Sequence, residues 1–502
     1  MAEALDSSRT ANALERIKDR TLVKTQSYVD GAWVGATDGA TFAVHDPATN
    51  AHLTDVANLG HAETLRAIDA ANAAWPAWRE LTGKDRAIIL RRWFDLLIAN
   101  ADDLAALMTA EQGKPLAEAK GEIVYGASFI EWFAEEAKRV SGDVMASTWR
   151  DKRMVVLKQP VGVCASITPW NFPLAMITRK VAPALAAGCT IVIKPAEQTP
   201  LSALAMAELA HRAGIPKGVV NVVTGDADRS IAIGKALCES PIVRHLSFTG
   251  STPVGRILMQ QCSPTVKKVA LELGGHAPFI VFDDADIDAA VEGAVQSKYR
   301  NAGQTCVCTN RFYVHASVYD AFVEKLSAKV KGIKVGNGFD TGVVQGPLID
   351  DQAVEKVQRH IDDATQKGAR LTAGGKLMQG FGSQRFVEPT VLADATPDML
   401  IAREETFGPV SAIFKFQDEA EVVRLANDTE FGLASYFFSR DIGRIWRVAE
   451  QLEYGMVGIN TGLISNEVAP FGGIKQSGLG REGSVYGIDE YLELKYLCMG
   501  GI

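Results

Sequence analysis

The sequence has few of the features that mark secreted or metal-binding proteins. Its seven cysteines are scattered singly apart from Cys306 and Cys308, a spacing that is not typical of a disulfide framework and that favours a reducing compartment. None of the eight histidines belongs to an HxxxH motif and no CxxC pair occurs, so we expect no metal site. The usual serine-hydrolase elbow, GxSxG, is also missing.

Long apolar runs and a basic excess are absent as well. The longest uncharged stretch that could be mistaken for a membrane helix is residues 159–178. It contains Pro160, Pro169 and Pro173, which a membrane helix tolerates poorly. Residues 1–20 lack the apolar core of a secretory signal and carry acids that are uncommon in transit peptides. The net charge of −8 is not typical of a nucleic-acid binder. We expect a soluble, cytoplasmic protein without a nucleic-acid or membrane partner.

The first part of the chain combines short strands with long helices. Residues 20–60 have strand patterns, including a hairpin around Asp30-Gly31. Residues 62–136 carry apolar side chains at three- and four-residue spacing, which predicts helices.

From Met154 onward, short and mostly uncharged strands alternate with helical segments in two series. Such alternation predicts an α/β fold with βαβ units and sheets buried on both faces. The junction between the two series lies near Gly274-Gly275. Strand patterns at 141–160 and at 491–500 have exposed apolar residues, and we expect them to pair with a partner subunit.

The segment VRHLSFTGSTPVGRIL is predicted to form a strand, a tight turn and a helix. Gly250, Ser251 and Gly255 lie where free N–H groups at a helix N-terminus would bind a pyrophosphate. The segment is neither GxGxxG nor a P-loop, so an ordinary glycine-rich turn explains it equally well.

Cys306 lies in NAGQTCVCTN, among small polar residues, where a thiolate nucleophile would be accessible. A buried, inert thiol is the usual alternative and fits Cys164 and Cys189 better, since both belong to apolar strands. If the stretch were extended, Cys308 would share a face with Cys306 and a reversible disulfide could form, although a structural role for Cys308 is the simpler interpretation.

Two further residues could assist such a nucleophile. Glu272 lies between Leu271 and Leu273, and apolar surroundings would raise its pKa into the range of a general base. Asn171 is held between prolines in PWNFP and could donate to an oxyanion. A solvent-facing glutamate and plain turn chemistry are the alternatives.

Other residues suit a nucleotide cofactor. Lys194 ends a predicted strand, where α/β sheets bind ligands, and Glu197 could accept both hydroxyls of a ribose while repelling a 2′-phosphate. Glu405 and Phe407 precede another strand and suit a ribose and a nicotinamide ring. Each could instead be an exposed charge or a core aromatic.

Together these segments resemble the aldehyde dehydrogenase superfamily, in the family's order and across most of the chain. The matching runs are TPWNFP (168–173), KPAEQTP (194–200), FTGSTPVG (248–255), LELGG (271–275), GQTC (303–306), EETFGP (404–409) and PFGGIKQSGLGREG (470–483). The combination is far more specific than any single run.

The resemblance implies a fold and a domain division. It implies a Rossmann-type cofactor-binding domain at 1–140 and 161–274 and an α/β catalytic domain at 275–480. A small β oligomerisation element would comprise 141–160 and 481–502, and the protein would be a homodimer or homotetramer.

The resemblance also implies roles for individual residues. Cys306 would be the nucleophile, Glu272 the general base and Asn171 the oxyanion donor. The cofactor would be NAD, with NADP as the alternative. The residues on cofactor-binding positions are Trp170, Lys194, Pro195, Ala196, Glu197, Gly250, Ser251, Gly255, Leu273, Glu405 and Phe407.

Within the superfamily the sequence is most similar to succinate-semialdehyde dehydrogenases, through AMITRK, KYRNAGQTCVCTNR and GLISNEVAPFGG. The likeness implies that Arg179, Arg300 and Ser465 bind the carboxylate of an acid-bearing aldehyde, to which a planar guanidinium is suited. Tyr299 stands where Phe is frequent and His276 where Asn is frequent, and either departure could shift the substrate range.

The predicted reaction is NAD(P)-dependent oxidation of succinate semialdehyde to succinate through a cysteine thiohemiacetal and a thioester. Glutarate semialdehyde or another acid-bearing aldehyde is the alternative, because one methylene discriminates by only about 1–3 kcal/mol. A CoA-acylating enzyme is disfavoured by Glu272, which is present to activate water. Two hypotheses from other functional classes are a non-catalytic structural or binding protein and a cysteine hydrolase that does not use NAD.

Overall fold

The computed structural model describes residues 12–501. The strands are β1 Ser27–Val29, β2 Ala32–Val34, β3 Thr41–His45, β4 His52–Ala57, β5 Asp143–Met145, β6 Lys152–Pro160, β7 Val163–Ile167, β8 Thr190–Lys194, β9 Val220–Val222, β10 Val243–Thr249, β11 Lys268–Glu272, β12 Ala277–Val281, β13 Thr309–His315, β14 Arg370–Ala373, β15 Thr390–Ala393, β16 Val410–Phe416, β17 Ala434–Phe438, β18 Met456–Ile459, β19 Gly478–Leu479 and β20 Leu492–Gly500. The α-helices are α1 His61–Glu80, α2 Gly83–Ala99, α3 Ala101–Gln112, α4 Leu116–Glu136, α5 Ala175–Ala187, α6 Pro200–Arg212, α7 Ala227–Glu239, α8 Thr252–Cys262, α9 Ile287–Tyr299, α10 Tyr319–Lys331, α11 Asp351–Gln366, α12 Glu419–Asn427 and α13 Ile442–Gln451.

The first sheet has eight strands in the order β19-β11-β10-β7-β8-β9-β1-β2, and β7 to β11 run parallel to one another. The chain leaves β7 toward β8 on one side and later returns to β10 on the other. At such a reversal the carboxyl ends of the central strands open a crevice in which ligands bind. The α/β prediction is therefore confirmed, and the predicted nucleotide turn after β10 lies beside this crevice.

The second sheet has seven strands in the order β14-β15-β16-β13-β12-β17-β18, all parallel except β14. It is also doubly wound, because β12 lies between β13 and β17. Stacked and tilted aromatic rings of Phe279, Phe312 and Phe438 fill its core on one side. Cys306 lies on the connection from α9 to β13, just before the first residue of that central strand.

A third sheet is formed by β20, β6 and β5, with nine residue pairs in the antiparallel register of β20 and β6. These strands lie within the ranges predicted for the oligomerisation element. Most of β20 is exposed, including Leu494 and Tyr496. One short strand departs from the predicted division, because Gly478–Leu479 pairs with β11 of the first sheet although it falls in the range 275–480.

The predicted hairpin is present between β1 and β2, where Ser27 pairs with Val34. Asp30 and Gly31 both have positive φ, 50° and 76°, which suits a two-residue hairpin turn. Gly31 is also needed for space, because a Cβ there would lie 2.7 Å from the Cβ of Lys217.

Over residues 12–501 no helix is both long and apolar enough to cross a membrane. No group of three or more His, Cys, Asp or Glu side chains in the same part of the chain is arranged to hold a metal ion. Residues 1–11, part of the segment that was compared with targeting signals, lie outside the described range.

Candidate active site

A cavity of about 510 Å³ opens between the carboxyl ends of the first sheet and the loops of the second. It is lined from both sides by residues that the sequence singles out. These are Trp170, Asn171, Gly250, Ser251, Glu272, Leu273, Cys306, Glu405 and Phe407. The structure thus brings the predicted nucleophile, base, oxyanion donor and part of the cofactor set to one place.

The loop that carries Cys306 begins with three successive residues in the left-handed region. Asn301, Ala302 and Gly303 have φ of 50°, 55° and 73°. For residues other than glycine this conformation costs free energy and persists only where the surroundings hold it. Here the Asn301 N–H donates to Glu118 Oε2 at 3.1 Å, and a Cβ on Gly303 would lie 2.3 Å from the carbonyl oxygen of Gly408. The result is a fixed turn that presents a half-buried Cys306 thiol to the cavity.

Asn171 is connected to this loop by hydrogen bonds. Its side-chain Nδ2 donates to the backbone carbonyl of Gln304 at 3.0 Å, and its backbone carbonyl accepts from Asn301 Nδ2 at 3.0 Å. A side-chain amide has two N–H groups, so one donor of Asn171 remains for a ligand. The donor is therefore held in a defined position relative to the cysteine loop.

A buried ion pair behind Asn171 was missed by sequence reasoning. Lys114 pairs with Glu122, and its Nζ also donates to the Asn171 carbonyl at 2.7 Å. The other oxygen of Glu122 accepts from the N–H groups of Leu174 and Ala175 at 3.1 and 3.2 Å, at the start of α5. No sequence signal marks this pair, since charged residues at that spacing in a helical stretch are usually solvated.

Glu272 ends β11 and is buried, as the flanking leucines suggested. Burial raises the pKa of its carboxyl well above the usual value, and the neighbouring Glu482 raises it further, while Arg179 and Lys180 act in the opposite direction. Its Oε2 has no hydrogen-bond partner among residues 12–501. The carboxyl therefore holds a proton more readily than an exposed glutamate does.

The Cys306 thiol is protonated at neutral pH. Burial raises its pKa to about 12, with contributions from Glu405, Glu272 and Glu482, whereas Arg179 lowers it. A thiol in this environment becomes a nucleophile only after its proton is removed. The thiol is half-buried and lines the cavity, so its proton can leave to solvent.

The residues predicted for the cofactor occupy two neighbouring regions. Ser251 is the N-cap of α8, and Gly250 and Ser251 line the cavity. Gly255 lies one turn into α8, where a Cβ would come within 2.5 Å of Leu273. The glycine therefore allows the helix N-terminus to approach the strand that carries Glu272.

The second region lies after β8. Lys194 Nζ is 3.2 Å from Glu197 Oε2, and the carboxylate is partly exposed. Pro195 and Ala196 connect the pair and are buried. None of these four residues lines the 510 Å³ cavity itself.

Aromatic and acidic groups complete the wall of the cavity. The rings of Trp170 and Phe407 meet edge to face with centroids 5.7 Å apart. Glu405 accepts from the Gly275 N–H at 3.2 Å, and burial raises the pKa of its carboxyl to about 7.

The three residues predicted to bind a substrate carboxylate do not line the main cavity. Arg179 is fully buried, its Nη2 lies 2.7 Å from Glu482, and its guanidinium stacks on Phe471 at 3.8 Å. Arg300 is half-buried above the ring of Phe172, at 4.8 Å. Tyr125 and Ser465 lie in the neighbourhood that the two arginines share.

Cys308 is held apart from the catalytic position by the local backbone. Residues 305–308 form a turn in which the Cys308 N–H donates to Thr305, so the extended geometry considered from the sequence does not occur. The Cys308 thiol is buried, donates to the Gly303 carbonyl at 3.2 Å and accepts from Lys298 at 3.5 Å. These contacts support its structural interpretation.

Tyr299 and His276, which replace the more frequent Phe and Asn, are also buried. Tyr299 bonds to the Thr390 carbonyl at 3.0 Å and to the Ser411 hydroxyl at 2.8 Å. His276 is within 3.2 Å of the Ile401 carbonyl. Both side chains are therefore anchored to the second sheet and its loops.

Comparisons with known proteins identify the family of the chain. The aldehyde dehydrogenase family profile matches residues 33–497. The chain is 65% identical to the glutarate-semialdehyde dehydrogenase of Pseudomonas aeruginosa, over 97% of this chain and 100% of that protein. It is 61% identical to the succinate-semialdehyde dehydrogenase [NADP(+)] GabD of Escherichia coli, with the same coverage of each chain. A crystal structure of succinate-semialdehyde dehydrogenase from Burkholderia pseudomallei superposes with a TM-score of 0.95 at 66% identity, covering 96% of this chain and 99% of that one. The chain therefore belongs to the aldehyde dehydrogenase family.

Proposed function

We propose that this enzyme oxidises succinate semialdehyde to succinate with NAD, and that Arg179, Arg300 and Ser465 bind the substrate carboxylate. The observation that carries the proposal is the fully buried guanidinium of Arg179, which is close enough to Cys306 to lower the pKa of the thiol. A buried cation beside the nucleophile suits an aldehyde with an anionic group. Glutarate semialdehyde is the second candidate, because the P. aeruginosa relative is named for it.

The first step is addition of the Cys306 sulfur to the aldehyde carbon. The thiol proton leaves to solvent, the sulfur–carbon bond forms, and the carbonyl oxygen becomes an oxyanion. Asn171 Nδ2 and the Cys306 N–H donate to this oxyanion, and loss of one such donor typically costs about 3–4 kcal/mol of transition-state stabilisation. The hydrogen bonds between Asn171 and the cysteine loop preorganise these donors.

The cofactor region fits a dinucleotide. The N-terminus of α8 with Gly250 and Ser251 suits a pyrophosphate, and Phe407 and Glu405 suit the nicotinamide end. When bound, the nicotinamide supplies the hydride acceptor for the oxidation. Glu197 would accept from the ribose hydroxyls and repel a 2′-phosphate, which is our reason for proposing NAD.

Release of the acid requires water. Glu272 takes a proton from a water molecule, the hydroxide adds to the thioester carbon, and the carbon–sulfur bond breaks to return the Cys306 thiolate. The raised pKa of the Glu272 carboxyl suits this role, because its carboxylate is a stronger base than that of an exposed glutamate. The presence of this base favours hydrolysis over transfer to another thiol.

We also propose the domain division implied by the resemblance, with cofactor-binding residues at 1–140 and 161–274, a catalytic domain at 275–480 apart from β19, which pairs with the first sheet, and an oligomerisation element at 141–160 and 481–502. The exposed apolar side chains of β20, such as Leu494 and Met499, support the last assignment because unpaired edge strands are usually covered. Replacing Leu494 with Asp should lower the mass measured by light scattering if β20 joins copies of the chain.

The test of the function is a substrate and cofactor panel. Initial NADH and NADPH formation is measured by absorbance with succinate semialdehyde, glutarate semialdehyde and butanal. We expect the highest kcat/KM with succinate semialdehyde and NAD, and reduction of cofactor in equal amount to the aldehyde consumed. Activity on butanal alone would retain the dehydrogenase chemistry but reject carboxylate binding, and aldehyde consumption without cofactor reduction would reject the oxidation.

A further inference from the structure

Tyr125 in α4 has a buried hydroxyl that meets no partner with full hydrogen-bond geometry among residues 12–501, although the Ser465 side chain lies beside it. Leaving a buried hydroxyl without a partner is unfavourable, and such groups require an explanation in terms of water, ion or ligand. The ring of Tyr125 is held in place, because it meets Phe129 edge to face at 5.1 Å and packs against the cluster of Phe172 and Met176. Its position is therefore built into the fold.

The neighbours of Tyr125 are also the neighbours of both arginines. Arg179 lies 5.7 Å from the ring of Phe129 and 3.8 Å from the sulfur of Met176. Arg300 lies over Phe172, at 4.8 Å. The Ser465 side chain approaches the hydroxyl itself.

Tyr125 thus lies where the three predicted carboxylate-binding residues converge. Met176, which it contacts, also lines the cavity that holds Cys306 and Asn171. Tyr125 therefore lies one side chain away from this cavity, within electrostatic reach of both arginines.

We propose that the Tyr125 hydroxyl donates a hydrogen bond to the distal carboxylate of the aldehyde and is a specificity-determining residue. The inference rests on the proposed function and extends it by one residue. A carboxylate offers about four acceptor sites, so it can accept from Tyr125 and Ser465 while it pairs with Arg179 and Arg300.

The hydroxyl keeps its proton for this role. Burial raises the pKa of Tyr125, and Glu482 raises it further, while Arg179 and Arg300 lower it without reversing the effect. A protonated phenol donates to an anion, whereas a phenolate in this pocket would repel it.

An unpartnered donor also penalises the wrong substrate. An aldehyde that ends in a methyl group leaves the buried hydroxyl unsatisfied, and sites built to hydrogen-bond a substrate reject analogues that lack the partner. Tyr125 therefore contributes to discrimination against neutral aldehydes as well as to affinity for acid-bearing ones.

The test is Tyr125→Phe, which removes the hydroxyl and keeps the ring. We expect KM for succinate semialdehyde to rise about 10- to 100-fold, the range for a hydrogen bond to a charged group, with kcat little changed. KM for butanal should stay the same or fall. Succinate, added alone at fixed concentration, should raise the melting temperature of the original protein more than that of the variant.

Tyr319→Phe is the matched control. The Tyr319 hydroxyl is also buried but bonds to the Ile413 carbonyl at 3.2 Å in the core of the second sheet. Its loss should lower stability and leave the ratio of KM values for the two aldehydes unchanged.

The outcomes separate this proposal from the function on which it rests. If the original protein does not prefer succinate semialdehyde over butanal, carboxylate binding itself is rejected. If the original protein has that preference and Tyr125→Phe retains it in full, the role of Tyr125 is rejected. An equal rise of KM for both aldehydes would also overturn it, because that result indicates a structural role only.

Discussion

The Nζ of Lys114 donates a 2.7 Å hydrogen bond to the backbone carbonyl of Asn171, although 57 residues separate them in the chain. The same ammonium forms an ion pair with Glu122, and both side chains are about 1% exposed. We predict that Lys114→Met destabilises the protein by about 3–5 kcal/mol, because it leaves Glu122 charged and unpaired in the core. The kcat should also fall by about tenfold to a hundredfold, because Asn171 loses an anchor and oxyanion donors depend on position.

Lys120→Met is the control for that variant. Lys120 pairs with Asp102 on the surface, with exposed fractions of 56% and 72%, and such pairs contribute less than about 1 kcal/mol. The test compares thermal melts and initial rates of Lys114→Met, Lys120→Met and the original protein, measured in parallel. Lys114→Met with the melting temperature and kcat of the original protein would contradict the positioning role.

The two catalytic assignments can be separated by their kinetics. We expect Cys306→Ala to abolish cofactor reduction, because no adduct forms without the sulfur. Glu272→Gln should still give a rapid burst of NADH followed by a slow phase, because acylation can proceed while hydrolysis lacks its base. Stopped-flow absorbance distinguishes the phases, and a Glu272→Gln enzyme with full steady-state turnover would refute the assignment of the base.

The rate should increase with pH. The raised pKa values of Glu272 and Cys306, the latter at about 12, mean that both groups keep their protons to higher pH than usual, yet both must lose them to act. We predict that kcat/KM for succinate semialdehyde rises from pH 6 to pH 9, by at most about tenfold per pH unit for each proton lost. The substrate carboxylate is ionised throughout, so a profile that is flat from pH 6 would show that these groups titrate lower.

Local structure was predictable because it depends on neighbours in the chain. The run from Leu174 to Ala187 predicts a helix by its composition, and the helix spans Ala175–Ala187. The Asp30-Gly31 turn is predictable for the same reason, since a two-residue hairpin requires residues that accept positive φ. Family membership was predictable from several specific runs in a fixed order.

Contacts between distant segments were not predictable in this way. Glu482 pairs with both Arg179 and Lys180, and neither periodicity nor composition indicates which carboxylate lies beside them. The left-handed conformation of Asn301 and Ala302 likewise depends on partners elsewhere, such as Glu118. Tyr125 was missed because an aromatic residue in an apolar helix is usually core, and only its unpartnered hydroxyl distinguishes it.

Cofactor preference should depend on Glu197. Its carboxylate lies 3.2 Å from Lys194 and is 29% exposed, so it can reach a ribose and would repel a 2′-phosphate. We predict that Glu197→Ser raises kcat/KM with NADPH as product at least tenfold relative to NADH, because the repulsion is removed and Lys194 is freed to attract the phosphate. Glu208→Ser is the control. It removes a carboxylate in α6 that pairs with Lys24, and it should leave the ratio unchanged. An unaltered ratio in Glu197→Ser would place cofactor selection elsewhere.

The two arginines should differ when each is replaced by methionine. Both variants should raise KM for succinate semialdehyde much more than for butanal, because each removes a guanidinium from the carboxylate. Arg179→Met should in addition lower the melting temperature and kcat, since it breaks a fully buried pair with Glu482, and such a loss costs about 3–5 kcal/mol. Arg300 is only half-buried and stacks on Phe172, so its variant should stay close to the original stability. Steady-state kinetics on both aldehydes with a thermal melt of each variant test this, and equal effects on the two aldehydes in both variants would refute carboxylate binding by the arginines.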